Sequence, residues 1–152
     1  MGGARLAKLL YERVFFQRLL GGLRFGCYGL VQPWYVQPMS DCLFCKIIEG
    51  KIPATVVHKD EHCLGFLDIN PQAPLHALFV PLKHVGTLND ATVEDREMLG
   101  HLMFAAAKVA REKGFADTGY RTVMNCNREA GQTVFHVHLH LLAGRPMSWP
   151  PG

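Results

Sequence analysis

His136-Val137-His138-Leu139-His140-Leu141-Leu142 is the stretch on which both fold and chemistry turn. In an extended chain side chains alternate, so His136, His138 and His140 share one face and Val137, Leu139 and Leu141 the other. The apolar face requires a core beneath it, and the opposite face becomes a line of three imidazoles. Neighbouring rings then start ~6–7 Å apart and the outer pair ~13 Å apart. One metal ion can take two neighbours but not all three, because its ligand bonds are only ~2 Å long. A linear array suits an elongated anion better, such as a phosphate chain or a nucleotide monophosphate with its leaving group. Imidazole can act as nucleophile, proton donor or phosphate partner near neutral pH. The plainer alternative is a strand carrying a metal-binding H-x-H pair, or histidines that merely occupy a polar face.

The residues just upstream favour the first reading. Asn125-Cys126-Asn127-Arg128-Glu129-Ala130-Gly131-Gln132-Thr133 is a polar loop that feeds the histidine strand. Gly131 permits close backbone approach, and Gln132 and Thr133 supply donors, so the loop can cradle phosphate oxygens. On its own it would be an ordinary hairpin loop.

Around these segments the pattern from Asp41 onward is mixed. Short strands are expected at Thr55–His58, Leu64–Asp68, Ala77–Leu82, Arg121–Asn125 and Phe135–Leu142, bounded by turn-forming residues. One long helix is expected from Val93 to Lys113, with an apolar stripe of Leu99, Leu102, Met103, Ala106 and Ala110. Thr92 caps its start and Gly114 its end. Strands grouped around few helices, without βα alternation, give an α+β class: a mostly antiparallel sheet, one long helix and a short N-terminal helix. The whole chain has 152 residues, 49% hydrophobic and 19% charged, which suits one folded domain and excludes collagen-like, coiled-coil and wholly disordered classes.

The net charge of +3 is unevenly placed. Residues 1–38 hold Arg5, Lys8, Arg13, Arg18 and Arg24 against Glu12 alone, a net of +4, which leaves residues 39–152 at −1. The body therefore offers no general attraction for nucleic acid. Arg5 to Leu20 reads as an amphipathic helix, followed by Gly21, Gly22, Gly26, Gly29, Pro33 and Pro38, which break regular structure. We read residues 1–38 as a leader or extension, disordered or not native, with Met39 as an alternative start and 39–152 as the domain. A mitochondrial transit peptide is the competing reading, and the lack of serine in this stretch counts against it. No apolar run reaches the ~18 residues of a membrane span, so no membrane association is expected. The five cysteines form no disulfide framework, which points to a reducing, cytoplasmic setting.

The histidine row is similar to the H-φ-H-φ-H-φ-φ signature (φ apolar) of the histidine triad superfamily. Asp68-Ile69-Asn70-Pro71-Gln72-Ala73-Pro74-Leu75-His76, Val80-Pro81-Leu82-Lys83-His84, Ala130-Gly131-Gln132-Thr133-Val134-Phe135 and the closing Trp149-Pro150-Pro151-Gly152 extend the match. Together they resemble its HINT branch, the histidine triad nucleotide-binding proteins, over residues 41–152. The resemblance implies two protomers sharing a sheet in a homodimer. It also implies hydrolysis of the P–N bond in purine nucleoside phosphoramidates, with AMP as product. His138 would be the nucleophile, His140 would contact the phosphate, and His76 would keep the nucleophile in its reactive tautomer. Asp68 would accept the ribose hydroxyls, Phe44 and Ile69 would lie against the base, and Asn125 and Thr133 would bind the phosphate. Plainer roles compete: Asp68 as a turn residue, Phe44 and Ile69 as core, His76 as a satisfied buried histidine. At the level of function, a purine-nucleotide sensor or scaffold would use the same pocket. A dinucleoside polyphosphate hydrolase is disfavoured by the W-P-P-G ending, whose approach carries Pro146 and Ser148 where better-known members have other polar residues.

Cys42-Leu43-Phe44-Cys45 adds two thiols at C-x₂-C spacing, and His84 with His136 would complete a Cys₂His₂ structural zinc site. On that reading His136 is structural, and His138 and His140 are left for a reaction that itself needs no cofactor. The alternative is a pair of reduced thiols, with His136 part of the catalytic row.

Overall fold

The computed structural model describes residues 41–151. The leader and the Arg5–Leu20 helix expected at the start of the chain lie outside them. The elements run α1 (Leu43–Ile48), β1 (Val56–Lys59), β2 (Cys63–Leu67), β3 (Leu75–Pro81), two short 3₁₀ turns, α2 (Arg96–Glu112), β4 (Tyr120–Val123) and β5 (Leu139–Ala143). Five strands form one antiparallel sheet in the order β1-β2-β3-β5-β4. This is the α+β architecture expected from the sequence, with a short helix, a long helix and an antiparallel sheet.

Alternation along the strands splits the core between the two faces of the sheet. Ala77 and Phe79 of β3 and Leu139 and Leu141 of β5 pack on the stripe of α2 formed by Leu102, Ala105, Ala106, Val109 and Ala110. Leu78 and Val80 of β3, with Leu64 and Phe66 of β2, face the other way, onto Cys42, Phe44 and Cys45 of the α1 segment. Met103, expected in the stripe of α2, is instead exposed beside Phe104. The buried positions at 102, 105, 106, 109 and 110 follow an i, i+3, i+4 line that leaves 103 and 104 outside it.

Most of the expected element boundaries shift by one or two residues, and two move further, each for a physical reason. The long helix begins at Arg96 and not at Val93, because residues 93–95 tighten into a 3₁₀ turn. That turn is closed by Asp95, whose carboxylate accepts the Thr92 backbone N–H at 2.9 Å and a 2.6 Å bond from the Lys83 ammonium. At the other end Gly114 takes a φ of +80° and Phe115 N–H reaches back to the Ala110 carbonyl, the terminator expected of a glycine at this position.

The final strand begins at Leu139 and not at Phe135. Its ladder with β3 runs from Leu75–Ala143 to Phe79–Leu139 and stops there. Pro81 at the end of β3 has no N–H to continue it, and Val137 N–H turns instead to the Val85 carbonyl at 2.7 Å. His136 and His138 therefore precede the strand, yet Val137 stays buried on the α2 face with Leu139 and Leu141. Among the described residues no helix is long and apolar enough to cross a membrane.

Candidate active site

A cavity of about 720 Å³ opens on the α1 face of the sheet. Leu43, Phe44 and Ile47 of α1 form one wall, and Leu67, Asp68 and Ile69 at the end of β2 another. Phe66 and Leu78 pave the floor, and Thr133, Val134, His138 and His140 close one end. The result is an apolar slot whose few polar groups gather at that end, a distribution typical of small-molecule sites.

The β3–β5 register places the polar groups. His76 pairs with Leu142 and Leu78 with His140, so His76 and His140 are diagonal neighbours on the same face. Their ring nitrogens, His76 Nε2 and His140 Nδ1, are 2.9 Å apart. The backbone N–H of Gln72 donates to His76 Nδ1 at 3.1 Å. His76 therefore carries its proton on Nε2 and donates it to His140 Nδ1, which leaves the His140 proton on Nε2. At His138 the order is reversed. Its Nδ1–H donates to the His136 carbonyl at 2.7 Å, so Nε2 is left with the lone pair. The rings of His138 and His140 lie 5.0 Å apart, edge to face, and Phe44 packs its ring 5.1 Å from His138. One end of the slot thus presents a bare imidazole nitrogen beside an imidazole N–H.

Burial sets the charge state of this row. It lowers His76 and His138 below their ordinary value, opposed by the nearby Asp68 carboxylate and, at His138, by the bond to the His136 carbonyl. Burial, aided by the adjacent His138 and His76 rings, holds His140 down at about 4. The rings are therefore neutral near pH 7, as the tautomer chain requires. Asp68 flanks the group at the cavity edge, where Oδ1 accepts the Asn70 N–H at 2.8 Å and Oδ2 lies 3.5 Å from His76 Nε2.

Other residues singled out in the sequence fall elsewhere. His76 touches His140, and the tautomer of His138 is set by a backbone carbonyl, so His76 orients the second ring and not the first. Gln132 is buried and spends its amide on the loop itself: Oε1 accepts from Asn127 N–H, while Nε2 donates to the carbonyls of Gly86 and Val134. Its side chain is a brace and not a free phosphate donor. Gly131 takes a φ of +88° in the exposed loop turn, next to the Asn125 amide, and neither residue lines the cavity. Thr133 does line it, Phe44 is buried in its wall, and Ile69 stands fully exposed at its rim. The backbone N–H of Gln72 and the Ile52–Thr55 wall carry no sequence signal, since one acts through the main chain and the other is an ordinary connection.

His136 belongs to a different group. Its Nε2–H donates to the Pro81 carbonyl at 3.0 Å, and its Nδ1 faces Cys42, Cys45 and His84. The separations are 3.5 Å to Cys42 Sγ, 3.6 Å to Cys45 Sγ and 3.2 Å to His84 Nδ1, and Cys45 Sγ lies 3.3 Å from His84 Nδ1. A tetrahedral zinc ion with its usual bond lengths has N–N edges of about 3.3 Å and N–S edges of about 3.5 Å. These four separations match those edges, and the Pro81 carbonyl supplies the outer partner that orients a ligating histidine. Cys42 precedes α1 and Cys45 lies one turn on, so the C-x₂-C spacing brings both sulfurs to one side. Burial and the neighbouring Cys42 thiol push Cys45 up to about 11, so a metal ion would displace a thiol proton on binding.

The model of the HIT domain family matches residues 49–147. An uncharacterised HIT-like protein of Synechocystis is 53% identical over 113 residues, 74% of this chain and 98% of that protein. The purine nucleoside phosphoramidase of Escherichia coli is 45% identical over 108 residues, 71% of this chain and 91% of the enzyme. Among solved structures, a HIT family hydrolase of Legionella pneumophila superposes with a TM-score of 0.72 at 53% identity, covering 74% of this chain and all of that one. The chain belongs to the HIT family.

The buried histidines make stability depend on pH in a defined direction. His140 sits at about 4 in the folded chain against an ordinary 6.5. Between those values the unfolded chain binds the proton and the folded one does not, so falling pH favours unfolding. The stabilisation is complete above pH 6.5 and is lost as pH falls through about 4. The urea midpoint should drop between pH 7 and pH 5, and less steeply in His140→Asn. A wild-type midpoint that held or rose over that interval would contradict the neutral histidine row.

Proposed function

We propose that the cavity hydrolyses the P–N bond of purine nucleoside phosphoramidates. The observation that carries this reading is the paired tautomers at its polar end, a lone pair on His138 Nε2 beside an N–H on His140. His138 Nε2 attacks phosphorus, the P–N bond breaks, and the amine leaves with a proton taken from solvent while the nucleotide stays on the imidazole. The His140 N–H faces the charge that develops on the phosphoryl oxygens. Water then displaces His138 and releases the nucleoside monophosphate. Overall, water adds its hydroxyl to phosphorus and its hydrogen to nitrogen. The base lies in the apolar slot against Phe44 and Ile69, Asp68 takes the ribose hydroxyls, and Thr133 the phosphate. The 45% identity to a purine nucleoside phosphoramidase and the W-P-P-G ending support this substrate class.

Zinc fits the Cys42, Cys45, His84 and His136 set, and in our reading this site is structural. With four protein ligands it has no open position for substrate. Bound there, zinc would tie α1 to the chain entering β5 and so hold the His136 carbonyl against His138. We also propose a homodimer. β4 is an edge strand, and Tyr120 on it and Met103 and Phe104 on α2 are exposed. An uncovered strand edge beside apolar side chains is the surface on which two sheets join.

Amine release from an adenosine phosphoramidate tests the reaction. His138→Ala should lose at least about 10³-fold in kcat and form no nucleotidyl-protein, and His140→Asn about 10²-fold. An undiminished rate in His138→Ala rules the mechanism out. For the metal, native mass spectrometry should find one zinc lost in Cys42→Ser/Cys45→Ser, with a Tm lower by several degrees; unchanged metal content would refute the assignment. Phe104→Glu should shift the sedimentation coefficient to that of a monomer, and a wild-type chain that is already monomeric would exclude the shared sheet.

A further inference from the structure

The β1–β2 hairpin carries a second set of converging donors, on the α2 face of the sheet and away from the catalytic cavity. Asp60 lies in the hairpin turn, where its Oδ1 accepts the backbone N–H groups of His62 and Cys63 at 2.9 and 2.8 Å. That much is an ordinary turn device. The other oxygen does more. Oδ2 accepts Nε2–H from His58 on β1 and from His101 on α2, each at 2.7 Å. The Cys63 thiol, at the start of β2, lies beside the same carboxylate. The ligand atoms of these four side chains all lie within 4.8 Å of one another.

Two imidazoles, a thiol and a carboxylate form a borderline donor set, suited to zinc and its transition-metal neighbours and not to calcium or magnesium. The carboxylate is already oriented by its two backbone donors, as ligating carboxylates commonly are. Despite burial, the hydrogen bonds from His101 and His58 hold Asp60 well below the usual carboxylate range, so the anion is in place at neutral pH. A path from solvent exists, since the side chains of His101 and Asp60 are 34% and 27% exposed while Cys63 is sealed. Tetrahedral N–O edges of about 3.3 Å would require the two short contacts to open by about 0.6 Å. His101 is the more exposed of the two histidines, and its ring lies edge-on to that of His62 at 4.7 Å.

We propose that His58, Asp60, Cys63 and His101 bind a zinc-like divalent transition ion that ties the β1–β2 hairpin to α2. As the ion binds, the Cys63 proton leaves to solvent, and each neutral imidazole frees Nε2 by carrying its proton on Nδ1. The site shares no residue with the Cys42 cluster or with the catalytic row, so it stands or falls independently of both.

Titration of the metal-free full-length chain with Zn²⁺, followed by native mass spectrometry, tests the proposal. Cys42→Ser/Cys45→Ser should retain one ion per chain and lose it when His101→Gln is added. In the otherwise intact chain, His101→Gln alone should lower the number bound by one and leave phosphoramidate turnover unchanged. With Co²⁺ in the Cys42→Ser/Cys45→Ser background, a single sulfur-to-metal absorption band should appear and vanish in Cys63→Ala. A Cys42→Ser/Cys45→Ser chain that folds but binds no metal overturns the proposal. So does a metal content that His101→Gln leaves unchanged, which decides the matter even if the cysteine variant fails to fold.

Discussion

The pairing of β3 with β5 is the constraint on which the rest of the structure depends. Its register makes His76 and His140 diagonal neighbours on one face while Phe79 and Leu139 pair on the other. A slip of one residue would exchange the faces, burying the imidazoles under α2 and turning Leu139 and Leu141 into the cavity. Among the described residues, fourteen buried on the α2 side oppose that slip, so the hydrophobic packing that stabilises the sheet also aims the histidines. The same ladder ends where β3 reaches Pro81, and its end is as informative as its course. Freed from pairing, the chain at His136 turns its ring to Cys42, Cys45 and His84 and its carbonyl to His138.

Most of this was legible because it follows from period-two alternation. Val137, Leu139 and Leu141 read as a core face, and they are buried whether or not the residue lies within the strand proper. The α+β class followed from elements whose apolar spacing was unambiguous. Less legible was anything decided by the main chain. The reversed tautomers of His138 and His140 depend on the His136 carbonyl and the Gln72 N–H, groups that every residue carries and that leave no mark in composition. Gln132 misleads for the same reason: a side-chain amide beside a glycine suggests a ligand donor, but backbone groups at Asn127, Gly86 and Val134 already occupy it. The C-x₂-C pair with two distant histidines was readable because helical spacing brings the sulfurs together, and ladder topology supplies the rest.

Under the proposed reaction, electrostatics explains why the body of the chain need not be basic to serve an anion. Residues 39–152 carry a net charge of −1, and the polar end of the cavity is built from imidazoles kept neutral by burial. A protonated imidazole would attract phosphate more strongly, but it has no lone pair with which to attack phosphorus. Desolvation therefore favours the nucleophilic form at the cost of long-range attraction. The directed His140 N–H replaces that attraction at short range, where a fixed donor in a site of low polarity is most effective.

The opposite face of the sheet is shaped by a single missing side chain. Gly65 on β2 sits where a Cβ would come within 2.8 Å of the Phe79 ring and 3.0 Å of the His58 Cβ. Neither neighbour can retreat cheaply, since Phe79 is sealed in the α2 core and His58 is held by Asp60. The absent side chain lets β1 close down on the sheet, which brings the His58 ring 6.1 Å from that of Phe79 and its Nε2 to the carboxylate that also receives His101. A larger residue at 65 would push β1 outward, and the first contacts to part would be those joining hairpin to helix. The hairpin and α2 are thus coupled through Asp60 at one edge of the sheet, while β3, β5 and the chain entering β5 carry the histidine row nearer the other. Alternation along the strands keeps the histidine row on the α1 face of the sheet and the His58, Asp60 and His101 contacts on the α2 face.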